Sequence, residues 1–283
     1  MLNEIASGVY VENGYEGGNV GLIIAGGQGL LIDTPMLPAD ARAWRETVES
    51  LGITSIYGIV NTDYHPERML GNATFGPVRT WGHGASARPI AKYNQGGAEQ
   101  VAAPYRTRNP ALAEEIMEIE LLLPEIEVDD RLTLHLSGRR VVIYFMEGHT
   151  PASLGVYLPD EQVLFAGENV TSRAEPVMYQ ANSLAWIETL ERIKGMQVEQ
   201  IVPGEGAVCG KEVLDPLIDH ITELREQTLA LFRRGASRRE AVEKVEIQER
   251  FPVPDDQAAR ARRRRRENLE RIYTEIRVAE RKK

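Results

Sequence analysis

The sequence predicts an α/β (α+β) fold in which two facing β-sheets are flanked by helices. Short apolar runs of strand length alternate with amphipathic helical stretches, and this order occurs in two similarly organised halves. From Lys211 onward the pattern is helical throughout. We therefore expect a sheet-containing domain over residues 1–210 and a helical C-terminal extension over residues 211–283.

The first half of the chain predicts a hairpin, a helix and a buried strand in succession. Two apolar runs within 20–34 are joined by Gly-Gly-Gln-Gly, which is typical of a hairpin. Residues 38–53 have helical spacing, and 55–62 follow as a buried strand. A further strand is predicted at 76–83. Residues 84–124 are poorly patterned, apart from an acidic helix around "ALAEEIMEIELLL".

The second half of the chain returns to strand patterns between residues 126 and 170. Ser-Gly at 137–138 and Pro-Asp at 159–160 are the predicted turns between these strands. The stretch "NSLAWIETLERIKGM" then predicts a helix. "VEQIVPGEGAV" predicts a strand that ends at the glycine-flanked Glu205.

Composition excludes several classes of function. The 283 residues carry a net charge of −9 with a pI near 5.3, which argues against general nucleic-acid or membrane-surface binding. One cysteine, Cys209, excludes an internal disulfide and suits a reducing compartment. No apolar run approaches the roughly 20 residues that span a bilayer, and the first twenty residues do not resemble a secretory signal. We expect a cytoplasmic protein.

Polar side chains collect where the predicted strands end. Loops at strand ends are the places where a rigid scaffold presents reactive groups. The densest is the loop "NTDYHPERMLGN" at residues 61–72. The polar residues at these strand ends are Asp33, Asp63, His65, Glu67, Arg68, His149, Glu168 and Glu205.

Four stretches of the chain resemble, in order, the successive motifs of the metallo-β-lactamase superfamily. They are "NVGLIIAGGQGLLIDTPM", "IVNTDYHPERMLGN", "MEGHTPASLGVYLPDEQVLFAGENV" and "IVPGEG". The resemblance covers roughly residues 8–210. It implies a four-layer αβ/βα sandwich, here with a C-terminal helical extension. It also implies an activity in which a metal-activated water attacks an ester, thioester or amide carbonyl of a small-molecule substrate.

The same resemblance implies a reduced metal site. The family pattern His-x-His-x-Asp-His stands here as Asp63-x-His65-x-Glu67-Arg68. Carried over by position, one metal would be held by Asp63, His65, His149 and Glu168. The second site would consist of Glu67, Arg68 and Glu205, and a guanidinium that is always charged cannot ligate a cation. We therefore expect at most one divalent metal ion, with Arg68 bridging Glu67 and Glu205 in place of the second.

Three functions remain open at this point. In the first, an oxygen-rich site binds zinc, manganese or iron, Glu67 or Glu205 accepts a proton, and Arg68 stabilises developing negative charge. In the second, the site binds no metal and the protein is a non-catalytic relative that binds a small ligand or partner. The third, redox chemistry at an iron site, is disfavoured because Arg68 stands in the second metal position.

Three features outside the metal loops also carry predictions. Asp33 resembles the aspartate that in the family supports the metal-binding loop. His220 is predicted on a helix surface. The basic run "ARARRRRREN" at 259–268 leads into an apolar stripe, which predicts a packed helix with its arginines solvated or paired to nearby glutamates. Contact of this helix with an acidic surface or an anionic substrate is the alternative, and the C-terminal helices are the expected surface for any homo-oligomer.

Overall fold

Two β-sheets form the centre of the structure, a computed structural model that describes residues 1–172, 174–253 and 257–281. Within these residues the first sheet has seven strands in the spatial order β1 to β7. They are β1 (Leu2–Ala6), β2 (Val9–Glu12), β3 (Val20–Ala25), β4 (Gln28–Ile32), β5 (Ser55–Val60), β6 (Thr80–Gly82) and β7 (Ile126–Glu127). Strands β1 to β4 pair antiparallel and β4 to β7 pair parallel.

The second sheet has five strands in the described part of the chain, in the order β12-β11-β10-β9-β8. They are β8 (Arg131–Leu136), β9 (Arg139–Phe145), β10 (Leu154–Leu158), β11 (Val163–Thr171) and β12 (Gln200–Glu205). All neighbours are antiparallel except β11 and β12, which run parallel. The predicted strands are therefore present in both halves of the chain, although the strand expected over 76–83 is only three residues long.

Helices cover the outer faces of both sheets. They are α1 (Pro38–Ser50), α2 (Pro66–Met69), α3 (Ala87–Lys92), α4 (Ala98–Ala102), α5 (Pro110–Met117), α6 (Ser183–Gly195), α7 (Leu214–Arg233), α8 (Arg238–Lys244) and α9 (Ala258–Glu280). Two helix predictions were too long. The acidic helix ends at Met117, and residues 245–253 after α8 contain neither helix nor strand. No helix among the described residues is long and apolar enough to cross a membrane.

Side-chain alternation along the strands produces the four layers. In β4, Leu30 and Ile32 point into the core between the two sheets, where they join Val156 of β10. Leu31 points the other way and packs with Trp44 of α1. Because successive strand residues face opposite sides, one strand contributes to both cores. The four-layer sandwich that the resemblance implies is thus the observed architecture.

The C-terminal helices pack on the outer face of the second sheet. Trp186 of α6, Leu217 of α7 and Ile272 of α9 share one apolar cluster with Leu164 and Ile201 of the sheet. His220 of α7 is 1% exposed, so its predicted surface position is wrong. Its ring packs edge-on against Phe251 and lies 3.4 Å from the Glu175 carboxylate. A tertiary contact has buried a residue that the helical pattern alone could not place.

Candidate metal centre

The loop that follows β5 is held in place by Asp33, the residue immediately after β4. Its carboxylate accepts hydrogen bonds from the Thr62 amide at 2.7 Å and the Thr62 hydroxyl at 2.6 Å. Asp33 has φ 56° and is 3% exposed. Burial raises its pKa to about 7, against the lowering effect of Arg68. Asp33 therefore holds the 61–69 loop in place through its two hydrogen bonds to Thr62, as the resemblance implies.

Asp63, His65 and His149 converge on one point at the ends of β5 and β9–β10. Asp63 Oδ2 lies 3.3 Å from His65 Nδ1 and 3.9 Å from His149 Nε2, and the two ring nitrogens are 3.3 Å apart. All three side chains are buried. A circle through the three atoms has a radius of about 2.0 Å, which matches the distance from zinc to a nitrogen or carboxylate ligand.

Neighbouring groups orient the two rings so that one nitrogen of each ring faces the other. The Val177 carbonyl, which can only accept, lies 2.9 Å from His149 Nδ1, so Nδ1 carries the hydrogen. His65 Nε2 lies 3.1 Å from Gln180 Oε1 and 2.9 Å from the Tyr179 hydroxyl. The inward nitrogen of His149 is then free to accept. Once the inward nitrogen of His65 gives up its proton, two lone pairs beside a carboxylate oxygen can hold a cation, and ligand histidines use their outer nitrogen in this way.

The charges in the group point to the same requirement for a cation. Burial would raise the pKa of Asp63, but His65 and His149 hold it well below its usual range. Burial would lower the pKa of His65, but the Asp63 carboxylate outweighs it and raises the pKa to about 9. Burial and the nearby His65 lower the pKa of His149 to about 4. Near pH 7 one proton therefore lies between His65 and Asp63, in the place where a metal ion would compete for the same atoms.

Arg68 does not form the predicted bridge, because its partners are different. Its guanidinium pairs with Glu168 and also donates to the carbonyls of Gly204 at 3.2 Å and Asn19 at 3.4 Å. Glu205 is exposed at the end of β12. The expected contacts of Arg68 with Glu67 and Glu205 are thus wrong, and Glu168 holds the arginine.

Glu168 and Glu67 therefore have different surroundings from those predicted. Glu168 lies outside the three-residue group that could hold a metal ion within the described chain. Its carboxylate is engaged by Arg68 instead, and burial raises its pKa although Arg68 opposes the effect. The half-buried Glu67 side chain has no hydrogen bond or ion pair to any residue in the described ranges. Its charge nevertheless acts on the nearby groups, where it raises the pKa of His65 and Tyr179.

Two glycines make the space that the arginine occupies. Gly18 has φ +125°, and a Cβ there would lie 2.8 Å from Arg68 Nη1 and 2.3 Å from the Gly204 carbonyl. A Cβ on Gly204 would lie 2.5 Å from Glu168 Oε1. Any side chain at either position would displace the ion pair. The buried Arg68–Glu168 pair therefore fills the region where the resemblance would put a second metal.

One side of the site carries no signal in the sequence. Residues 174–182 pass over the two histidines, and Val177, Tyr179 and Gln180 make the contacts described above. Tyr64 of the metal loop is 5% exposed, and its hydroxyl donates to Gln180. No known motif covers this segment. A tyrosine followed by a glutamine after a strand is too common to mark a site.

Comparison with known proteins places this geometry in a family. The model of the metallo-beta-lactamase superfamily matches residues 13–205. A linear primary-alkylsulfatase from Pseudomonas sp. (strain ATCC 19151) is 24% identical in an alignment 252 positions long, which covers 77% of this chain and 48% of that protein. The type 2 metallo-beta-lactamase of Bacteroides fragilis is 31% identical in an alignment 114 positions long, which covers 38% of this chain and 44% of that protein. The chain spans about half the length of these relatives or less.

Solved structures agree on the fold. A stereoselective inverting sec-alkylsulfatase from Pseudomonas sp. superposes with a TM-score of 0.73 at 17% identity, over 96% of this chain and 49% of that chain. A metallo-beta-lactamase family protein from Thermus thermophilus has a TM-score of 0.70 at 18% identity, over 99% of this chain and 95% of that chain. With the family model covering more than half of the residues, the chain belongs to the metallo-β-lactamase superfamily.

Proposed function

We propose that the protein is a hydrolase that works with one divalent metal ion, held by Asp63, His65 and His149. The observation that supports this most strongly is the triangle of Asp63 Oδ2, His65 Nδ1 and His149 Nε2, whose 3.3–3.9 Å sides suit a single ion. The residues at the second position, Arg68 and Glu168, are already paired with each other. Zinc, manganese and iron all accept a set of two imidazoles and one carboxylate.

Side chains of the protein would accept the proton from water and stabilise the negative charge that develops on the substrate. A bound divalent ion supplies Lewis acidity and makes water a stronger acid. Glu67 is the side chain we propose as proton acceptor, because its charge acts on His65 and it has no ion-pair partner in the described chain. Tyr179 keeps its proton at neutral pH, since burial raises its pKa, so its hydroxyl can donate to an oxygen that gains charge.

Two residues predicted as catalytic fit less well in those roles. Arg68 is 2% exposed and is committed to Glu168 and two carbonyls, so we assign it the task of replacing a second cation. Glu205 is exposed at the strand end and lies outside the group of three metal-ligating side chains found in the described chain. It remains a candidate for contact with substrate at the rim of the site.

We propose an ester as the substrate class, with thioesters and amides as alternatives. Hydrolysis of an ester consumes one water and releases an acid and an alcohol. Two of the similar proteins are alkylsulfatases, which supports including sulfate esters of alkyl alcohols beside carboxylate esters.

A non-catalytic protein that binds a small ligand is the second candidate. The buried Arg68–Glu168 pair favours it, because the pair neutralises the region of the second metal without any ion. This candidate predicts a folded protein that turns over no ester, whatever metal is supplied.

The test is an activity screen on metal-stripped protein reloaded with one equivalent of zinc, manganese or iron. The panel contains p-nitrophenyl acetate, an acyl thioester, an anilide and a medium-chain alkyl sulfate. We expect metal-dependent hydrolysis of an ester, lost in His149→Ala and reduced about 10²-fold or more in Glu67→Gln. Turnover that is equal with and without metal, or that survives His149→Ala, would reject the proposal.

A further inference from the structure

The segment that covers the two histidines has no regular secondary structure of its own. Residues 174–182 lie between β11 and α6, and none of them belongs to a helix or a strand. Buried backbone amides and carbonyls nevertheless need partners. Four of the backbone groups in this segment find their partners on the C-terminal helix α9, which lies about ninety residues later in the chain.

One face of α9 carries the side chains that bond this backbone. Asn268 donates to the Pro176 carbonyl at 2.9 Å and accepts from the Met178 amide at 2.9 Å. Arg264 donates to the Glu175 carbonyl at 2.9 Å, and Arg271 donates to the Ala181 carbonyl at 2.7 Å. Glu275 accepts from the Ser183 amide at 2.9 Å. Positions 264, 268, 271 and 275 repeat every three or four residues, so they share one side of the helix.

The two backbone groups that Asn268 bonds flank Val177. The Val177 carbonyl is the group that lies 2.9 Å from His149 Nδ1. The same short stretch then presents Tyr179 and Gln180 to His65 Nε2. The outer contacts of both histidine rings described above therefore come from a segment whose backbone is held in part by α9.

Further contacts anchor the two ends of the segment. At its start, the buried Glu175 carboxylate lies 3.5 Å from Arg265 Nη2 of α9 and 3.4 Å from His220 Nε2 of α7. At its end, Arg225 of α7 donates to Glu275 at 2.8 Å. The Glu175 carboxylate is 5% exposed, so removing Arg265 alone would leave a buried charge without its arginine partner.

We propose that α9 is a positioning element of the metal centre, and that Asn268 and Arg271 act on His65 and His149 through the 174–182 segment. This inference deepens the proposed function and rests on it for the identity of the ion. It also assigns a role to Arg264 of the arginine run, which bonds the backbone of the 174–182 segment. Arg263 and Arg266 pair with Glu267 and Glu270 on the exposed side of the helix, as the sequence predicts.

The alternative sequence-based interpretation of the run needs an acidic surface outside the chain. Arg264 and Arg271 instead each donate to a backbone carbonyl of the covering segment, and both are partly buried. Their guanidinium groups therefore bond within the protein and not to an outside partner. The contacts of these two arginines therefore support the positioning role of α9.

The first test measures metal affinity. Zinc binding to metal-stripped protein is followed by competition with a chromophoric chelator in Asn268→Ala, Arg271→Ala and Arg271→Lys. We expect the first two to weaken zinc binding about tenfold, the lower end of the effect of removing a partner of a ligand histidine. Arg271→Lys, which keeps a donor for Ala181, should recover part of the loss. Arg263→Ala removes an exposed pair on the same helix and is the matched control, with unchanged affinity.

The second test needs no metal and separates this inference from the proposed function. The nitrogen NMR shifts of the His149 ring in metal-free protein report which nitrogen carries the hydrogen. We expect hydrogen on Nδ1 in the wild type and Arg263→Ala, and a mixture of tautomers in Asn268→Ala and Arg271→Ala. If wild-type protein binds no zinc but the tautomer changes as described, the proposed function fails and the positioning role stands. If zinc affinity and the tautomer are both unchanged in Arg271→Ala and in folded Asn268→Ala, the positioning role is overturned.

Discussion

Removing the guanidinium of Arg68 should be among the most destabilising single changes in the chain. Arg68→Met keeps an apolar stem but leaves the Glu168 carboxylate without its arginine donor. The Gly204 carbonyl loses one of its two hydrogen bonds and keeps the one from the Asn19 amide at 2.8 Å. Because Arg68 is 2% exposed, water cannot replace the guanidinium without rearrangement. Breaking a buried ion pair from one side costs about 3–5 kcal/mol. We expect a loss in this range in the free energy of unfolding.

Glu168→Gln should cost less than Arg68→Met, and the double variant should cost less than the sum. A glutamine oxygen still accepts from Arg68, and the Glu168 side chain is 15% exposed, so we expect a loss of about 1–3 kcal/mol. Without the arginine, a neutral glutamine is easier to bury than a carboxylate. The double variant should therefore recover about 1–3 kcal/mol relative to additivity.

The assay is urea unfolding of metal-stripped protein followed by circular dichroism, with all four proteins measured at the same pH and salt. Removing metal first separates the ion pair from any stabilisation by bound ion. Additive losses within about 0.5 kcal/mol would show that Arg68 and Glu168 do not act as a pair. The two residues would then not be a replacement for a second metal.

Three further outcomes follow from particular contacts. Gly18→Ala should lower the free energy of unfolding by about 2 kcal/mol or more, because the new Cβ would lie 2.3 Å from the Gly204 carbonyl at a φ that disfavours side chains. Urea unfolding at the wild-type midpoint would contradict this. Thr62→Val removes a buried hydroxyl bonded to Asp33 at 2.6 Å and should cost about 1.5–3 kcal/mol, whereas the exposed Thr107→Val should stay within about 0.5 kcal/mol. Burial raises the pKa of the Cys209 thiol to about 11. Its alkylation at pH 8 should therefore be roughly 100-fold slower than in urea-unfolded protein, and the rate should rise about tenfold per pH unit up to pH 11. A rate equal to that of the unfolded chain would mean that the thiol is not buried.

Local patterns were sufficient to predict the layered fold. The two apolar runs and glycine-rich turn of β3 and β4, the amphipathic spacing of α1 and the turns of the second half all correspond to the observed elements. Two predicted helices were longer than the observed ones. The composition there is typical of a helix, but the residues beyond the observed ends do not pack as one. In the acidic stretch, α5 ends at Met117, and Leu122 and Leu123 beyond it are exposed.

Long-range contacts limited the prediction of the site. Position in a motif was enough to bring Asp63, His65 and His149 together. The partner of Arg68 could not be found this way, because the choice among three carboxylates depends on where the guanidinium lies after folding. The same applies to Asn268, whose amide bonds a segment about ninety residues earlier in the chain. Neither the contact of Arg68 with Glu168 nor that of Asn268 with this segment can be predicted from the spacing of nearby residues.

The central claim is that one metal ion binds at Asp63, His65 and His149. Its most direct test is elemental analysis of purified protein, after dialysis against metal-free buffer, for the wild type and His149→Ala. We expect close to one equivalent of a transition metal per chain in the wild type and almost none in the variant. The circular dichroism of the variant should match wild type because His149 lies in the loop between β9 and β10, outside any helix or strand. Two equivalents in the wild type, or unchanged metal content in His149→Ala, would contradict the account.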